Sequence, residues 1–218
     1  MKVTKEFIRP DSGKPASVAL GLFDGIHIGH TKVLQQALKN RELAPCVFTY
    51  TISSFVPQIK KNYLALMPDE QKCAILERMG FEQVVMPDFS SFKDMEPEEF
   101  VEKMLIQGMG AKELSCGYDF TFGKGGAGTT ETLCRVAERH GVRVNVVEPV
   151  TLDGEPVSST RIRQAILEGK MDEAKVYHQI YGTVISLFDK LVEFLGDEVM
   201  SLKDYKELLE AGFGDSRV

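Results

Sequence analysis

The stretch Val18-Ala19-Leu20-Gly21-Leu22-Phe23-Asp24-Gly25-Ile26-His27-Ile28-Gly29-His30 decides how the rest of the chain is read. It opens on a short apolar run and turns at a glycine. It then enters a segment where Val33, Leu34, Ala37 and Leu38 recur at helical spacing. The order is strand, loop, helix. Two histidines flank a glycine at the amino end of that helix, where backbone donors lack partners and the helix dipole is positive. Such an end favours phosphate. His27 and His30 are placed to donate to phosphate oxygens as charge develops on them. Gly29 carries no Cβ, so a ligand can come close to the backbone there. Asp24 is placed to position a magnesium–nucleotide complex or the loop itself.

Outward from this stretch the same alternation repeats. Cys46-Val47-Phe48-Thr49-Tyr50 is β-branched and aromatic, a second strand. Pro68-Asp69-Glu70 opens a helix that ends near Gly80, because proline suits a first turn and acids suit its positive end. Gln83-Val84-Val85-Met86 is a third strand. Pro97-Glu98-Glu99 opens a helix closing around Gly108 and Gly110. Glu113-Leu114-Ser115-Cys116 is a fourth strand, and Val142-Arg143-Val144-Asn145-Val146-Val147 a fifth. Thr129 or Thr130 caps the helix between the last two. Strands separated by helical patterns predict an α/β fold: a parallel sheet of about five strands with helices on both faces. Ligands of such sheets bind beyond the carboxyl ends of the strands. From residue 180 the pattern becomes purely helical. Val184, Leu187, Phe188, Leu191, Phe194 and Leu195 form one stripe, and Leu202, Tyr205, Leu208 and Leu209 a second. The spacing predicts a helical hairpin over residues 180–211.

Composition narrows the function classes. The 218 residues are 43% hydrophobic and 27% charged, enough to bury a full core. No stretch approaches the roughly 18 apolar residues of a membrane span, and no apolar h-region follows the first residues. The expectation is a cytoplasmic protein. Net charge is −6, from 26 basic and 32 acidic residues, which argues against a general nucleic-acid face. Cys46, Cys73, Cys116 and Cys134 are spaced by 27, 43 and 18 residues. No zinc or redox pattern has those spacings, and reduced thiols are expected.

Two further motifs carry chemistry. Ser158-Ser159-Thr160-Arg161-Ile162-Arg163 sits at another helix start; its hydroxyls cap the helix or bind phosphate, and its arginines clamp phosphate oxygens in a fork. The plainer reading is an N-cap followed by surface arginines. Gly117-Tyr118-Asp119-Phe120-Thr121-Phe122-Gly123-Lys124-Gly125-Gly126-Ala127-Gly128 sets aromatics among glycines after a strand, which suggests a pocket for a flat ring. Its last six residues also match G-x-G-x-x-G, but six residues separate that match from the strand it should follow directly. For His27 and His30 the competing readings are a zinc pair, which lacks evident further ligands, and a structural turn.

Taken in order, the three motifs resemble the FMN adenylyltransferase module of bacterial bifunctional riboflavin kinase/FAD synthetases. The residues are Gly21, Phe23, Asp24, Gly25, His27, Gly29 and His30; then Gly117, Asp119, Phe120, Phe122 and Gly123; then Ser158, Ser159, Thr160, Ile162 and Arg163. The likeness covers roughly residues 15–178. It implies a Rossmann-like nucleotidyltransferase domain over residues 1–178. It also implies the reaction of ATP with FMN to give FAD and pyrophosphate, with Mg2+. By the same resemblance His27, His30 and Arg163 are the catalytic residues. Gly21, Phe23, Asp24, Gly25, Gly29, Ser158, Ser159, Thr160 and Arg161 bind ATP, and Gly117, Asp119, Phe120, Phe122 and Gly123 shape the flavin side. ATP and FMN are then the partners, with no nucleic acid and no membrane. No general base is required, because the attacking phosphate is already ionised.

The sequence departs from the family twice. The usual Pro-His pair after the second strand is absent from Phe48-Thr49-Tyr50-Thr51-Ile52-Ser53-Ser54-Phe55, so a different acceptor, or binding without turnover, stays open. Residues 179–218 read as a helical tail where the family's riboflavin kinase barrel would begin, so no riboflavin kinase activity is expected. Residues 183–218 are slightly similar to a segment of the helicase/nuclease B subunit of bacterial recombination.

Overall fold

The first strand of the opening stretch lies at the centre of the molecule's sheet. The computed structural model describes residues 1–51, 65–170 and Ala174. Among these, six strands run in parallel: β1 (Lys2–Thr4), β2 (Ala16–Leu20), β3 (Ala44–Phe48), β4 (Gln83–Val85), β5 (Ala111–Gly117) and β6 (Arg143–Val147). Their spatial order is β1-β4-β3-β2-β5-β6. β2 is buried along its whole length, as a central parallel strand covered on both faces must be. Its small and apolar residues, Ala16-Ser17-Val18-Ala19-Leu20, suit that position. The order reverses at β2: the chain adds β3 on one side and later β5 on the other. The carboxyl ends of β2 and β5 therefore flank the switch point where such sheets bind ligands.

The helices are α1 (Ile28–Ala37), α2 (Asp69–Met79), α3 (Pro97–Glu99), α4 (Thr130–Arg139) and α5 (Ser159–Leu167). α1 lies on one face, burying Thr31, Val33, Leu34 and Ala37. The other face carries Val18, Leu20, Cys46, Phe48, Leu114 and Cys116 into a core shared with Phe100, Val101, Leu105, Leu133 and Val136. Aromatic rings dominate one end of that core. Phe7 stacks on Phe48 at 5.6 Å, and Phe48 meets Phe100 at 5.3 Å and Phe92 at 5.4 Å. Such pairs contribute about 0.5–1.5 kcal/mol each beyond their buried area.

Helix ends follow local chemistry. α2 starts with Pro68 at its N-cap and Asp69 and Glu70 in its first turn, and ends at Gly80 in the left-handed region (φ 97°). Thr129 caps α4, its side chain accepting from the Thr132 amide.

The structure corrects several expectations. The sheet has six strands rather than about five, because β1 pairs with β4 at the edge. Thr151–Leu152 and Glu155–Pro156 form a small antiparallel hairpin, β7 and β8, whose Asp153-Gly154 turn (φ 56° and 81°) is a sequence signal that the strand-and-helix reading passed over. The helix opened by Pro97 becomes a π-helix over Phe100–Gly108. Gly108 in that helix is pressed against the chain near Phe7, where a Cβ would lie 2.9 Å from the Phe7 carbonyl oxygen. The expected hairpin over residues 180–211 lies outside the described residues. Met1–Ser159 form one compact unit and Thr160–Val218 a second. No helix among the described residues is long and apolar enough to cross a membrane.

Candidate active site

The loop that leaves β2, residues 21–27, is held by three kinds of contact. Phe23 (φ 52°), Gly25 (φ 81°) and Ile26 (φ 29°) all take left-handed backbone conformations. For the two non-glycine residues, Phe23 and Ile26, this is strained, at a cost of about 1–3 kcal/mol each, and it persists only where the surroundings over-determine it. Phe23 is buried, and its ring lies where a Cβ on Gly21 would meet it at 3.0 Å. The buried Asp24 accepts through Oδ1 from the amides of Leu66 (2.9 Å) and Met67 (3.2 Å). The Ser159 hydroxyl donates to the Asp24 carbonyl oxygen at 2.9 Å. One residue thus joins the loop to the segment entering α2 and to the start of α5.

At the loop's end His27 caps α1. Its backbone is extended (φ −73°, ψ 174°) and its Nδ1 accepts from the His30 amide at 3.3 Å. An accepting Nδ1 places the proton of the neutral ring on Nε2, which is then a donor. The His27 and His30 rings stack at 3.6 Å, and the Phe23 ring meets His30 edge-on at 5.4 Å. Gly29 serves this arrangement directly. A Cβ there would come within 3.1 Å of His27 Cε1 and Nδ1. The space assigned from sequence to an approaching ligand is filled by the His27 imidazole. Two imidazoles are thereby fixed side by side at the positive end of a helix whose first turn holds no acid.

After β5, residues 117–128 form a closed loop. Phe122 and Gly128 exchange backbone hydrogen bonds of 3.0 and 2.8 Å. The Phe122 ring lies over Gly128, so that a Cβ would be only 2.7 Å from it. Gly123, Gly125 and Gly126 all have positive φ. The glycines therefore build the loop's own turns, and the G-x-G-x-x-G match does not form a strand-to-helix phosphate turn. Phe122 belongs to the core, tilted against Phe100 at 5.7 Å, while Phe120 stacks on it at 5.5 Å from a half-buried position. Asp119 is exposed and its Oδ1 lies over Gly117. Of the residues expected at a flat-ring pocket, Phe120 and Asp119 are at the surface, and Phe122 supports them from below.

Ser159 stands at the head of α5, and Thr160, Arg161 and Arg163 follow on that helix, which belongs to the second unit from Thr160 onward. Ile162, Ala165 and Ile166 are its buried residues, so the arginines occupy its other positions.

Sequence reading missed Lys72, Thr49 and Tyr50. Lys72 is fully buried on α2. Its Nζ donates to the Leu22 carbonyl (3.2 Å), Thr49 Oγ1 (3.4 Å) and the Tyr50 carbonyl (3.4 Å), and pairs with Asp69 at 3.0 Å. The signal was present: Lys72 falls on the α2 stripe with Ile75 and Leu76, a lysine where the pattern asks for an apolar residue. Thr49, where the strand leaves the sheet, donates its hydroxyl to the same Leu22 oxygen at 2.8 Å. Tyr50 meets Phe89 at 5.2 Å and Phe92 at 5.6 Å, and burial pushes its phenol up to about 12. Cys46 and Cys116 lie buried in β3 and β5, their thiols pushed up to about 12 by desolvation. The four cysteines are free. Among the described residues no three His, Cys, Asp or Glu side chains gather as a metal cage.

A family model described as FAD synthetase matches residues 9–161. A bifunctional riboflavin kinase/FMN adenylyltransferase of Listeria monocytogenes is 31% identical over 163 residues, covering 72% of this chain and 51% of that protein. A second Listeria monocytogenes protein, named FAD synthetase, is 29% identical over 181 residues, covering 80% of this chain and 73% of its own. The chain spans about half the length of the bifunctional relatives it matches. A crystal structure named Macrolide-efflux Protein, from Streptococcus pneumoniae, superposes with a TM-score of 0.69 at 31% identity, over 81% of this chain and 59% of that one. The match over residues 9–161, together with these relatives, leads to one conclusion: the chain belongs to the FAD synthetase (FMN adenylyltransferase) family.

Proposed function

We propose that this chain transfers AMP from ATP to the phosphate of FMN, giving FAD and releasing pyrophosphate. The observation that carries the reading is the stacked His27–His30 pair at the amino end of α1, beside the strand-order reversal between β2 and β5. ATP arrives as its magnesium complex, with the ion held by the phosphates as part of the substrate. His27 Nε2 and the His30 ring donate to oxygens on the α-phosphate, where negative charge grows in the transition state. The FMN phosphate attacks in line; its oxygen bonds to the α-phosphorus as the bond to pyrophosphate breaks. No proton has to be removed from the nucleophile, so catalysis is positioning and charge stabilisation. By the family resemblance Ser159, Thr160 and Arg163 are assigned to the β- and γ-phosphates, and Ser158 and Arg161 to ATP binding. Asp119, Phe120, Gly117 and Gly123 are assigned to the flavin side, supported by Phe122. Asp24 acts through the loop, since its carboxylate is engaged by two backbone amides.

The test is formation of FAD from FMN and magnesium-ATP, followed by chromatography and pyrophosphate release. Riboflavin in place of FMN is expected to give none, because it offers no phosphate nucleophile. His30→Ala is expected to lower turnover at least about 100-fold, equivalent to roughly 2.7 kcal/mol of transition-state stabilisation. Its thermal midpoint should stay within a few degrees of wild type. Absence of FAD with a folded chain rejects the reading. The second reading is transfer to another phosphorylated acceptor, favoured by the absence of the family's Pro-His pair from the segment Phe48 to Phe55; an acceptor panel with pyrophosphate detection separates the two.

A further inference from the structure

We propose that Lys72 is a positioning residue for adenylyl transfer, and this inference rests on the function proposed above. A lysine is almost never fully buried unless its charge is compensated. Lys72 is at 0% exposure, and its compensation comes from the rim of the site. Nζ reaches the Leu22 carbonyl at 3.2 Å, the Tyr50 carbonyl at 3.4 Å, Thr49 Oγ1 at 3.4 Å and Asp69 Oδ1 at 3.0 Å. Leu22 lies in the strained loop, immediately before Phe23. Thr49 and Tyr50 lie where the chain leaves β3. One ammonium therefore ties the loop after β2 to the segment after β3 from below. The Thr49 hydroxyl completes the node by donating to the same Leu22 oxygen at 2.8 Å.

A purely packing role does not call for this residue. Replacing a complete buried ion pair by well-packed apolar side chains is commonly neutral, whereas removing Lys72 alone leaves Asp69 and the loop carbonyls without this cation and costs stability as well, which is why Thr49→Val is needed beside it. Methionine would fill the stem's volume and keep the α2 stripe apolar beside Ile75 and Leu76. What methionine cannot do is hold two backbone carbonyls and a hydroxyl at once. Those acceptors fix the position of a loop that holds Phe23 and Ile26 at positive φ. A loop of that kind relaxes when one of its restraints is removed. His27 and His30 begin at the far end of the same loop, so the restraint reaches the donors that meet the phosphates.

The experiment compares Lys72→Met and Thr49→Val with wild type by steady-state kinetics, circular dichroism and amide hydrogen exchange. Lys72→Met is expected to keep its helix content and to lower kcat/KM for ATP at least tenfold. Amides of residues 21–27 should exchange faster, while those of β2 itself should not. Thr49→Val, which removes one hydroxyl without changing shape, is expected to show the same pattern at smaller size. The double variant should lose less than the product of the two single losses. Wild-type kcat/KM and unchanged loop exchange in Lys72→Met overturn the proposal. If Lys72→Met fails to fold and Thr49→Val matches wild type in rate and exchange, Lys72 is a stability residue and the proposal is likewise overturned. A folded wild type that makes no FAD rejects the function proposed above instead; the exchange of residues 21–27 then still decides whether Lys72 holds the loop.

Discussion

Gly128 and Gly29 show how one missing methyl group sets the position of a ring. Over Gly128 lies the Phe122 ring, with three of its carbons 2.7–2.8 Å from where a Cβ would be. Over Gly29 lies the His27 imidazole at 3.1 Å. Gly128→Ala is expected to destabilise the protein by about 1–3 kcal/mol, the usual cost of overpacking a filled core. For a chain of this size that lowers the thermal midpoint by roughly 2–12 °C, measurable by calorimetry. An unchanged midpoint would mean that Phe122 swings away freely, which its contact with Phe100 argues against. These residues were legible as glycines in motifs, but their reason was not. Sequence reading takes a bare backbone as room for a ligand, whereas here the chain's own rings fill the room. Lys72 was hidden in the opposite way, since charge on a helix is ordinarily read as its solvated face.

Element boundaries follow from chemistry within a few residues, and those were readable. The Thr129 side chain accepts from the Thr132 amide, and Gly80 takes the left-handed conformation that ends α2. Thr129→Ala removes that acceptor and is expected to cost about 1 kcal/mol, read as a lower urea midpoint with an unchanged slope. A stability equal to wild type would show that another group takes over the cap. Helix α4 is also tied to α3 by Glu98, which receives Arg135 at 2.8 Å and Arg139 at 2.9 Å; those bonds hold its carboxyl below the usual range. The π-helix was not readable, because Phe100, Val101 and Leu105 fit a buried face with either hydrogen-bond pattern. Nor was β1: Lys2-Val3-Thr4 is short and mostly exposed, and becomes a strand only because β4 is there to receive it.

For the whole molecule, alternation of strand and helix was enough to predict a parallel sheet. The strand order was not available from local pattern, since it depends on which edges pair across long separations. Burial of Cys46, Cys116 and Tyr50 gives the sheet a common response to alkali. Their folded values near 12 lie above the ordinary 9 to 10. Raised folded values mean that the unfolded chain ionises first, so this contribution to stability is whole below about pH 9 and is lost as pH climbs toward 12. The denaturant midpoint is expected to fall steeply across that window. Cys46→Ser with Cys116→Ser should flatten the thiol part of the decline, after allowance for its own loss of stability. A midpoint independent of pH between 9 and 11 would contradict the burial of these groups.

The strand order also has a consequence in time. Ala16 pairs with Ala111, so the central strand's second neighbour is specified 95 residues later. Translation adds roughly 5–20 residues per second, so that edge of β2 waits about 5–19 s for its partner to be made. Through that interval the strand destined to be most deeply enclosed presents a row of open backbone donors and acceptors. The loop bearing the two histidines hangs from that same strand, so it too waits for β5 before it gains its final support.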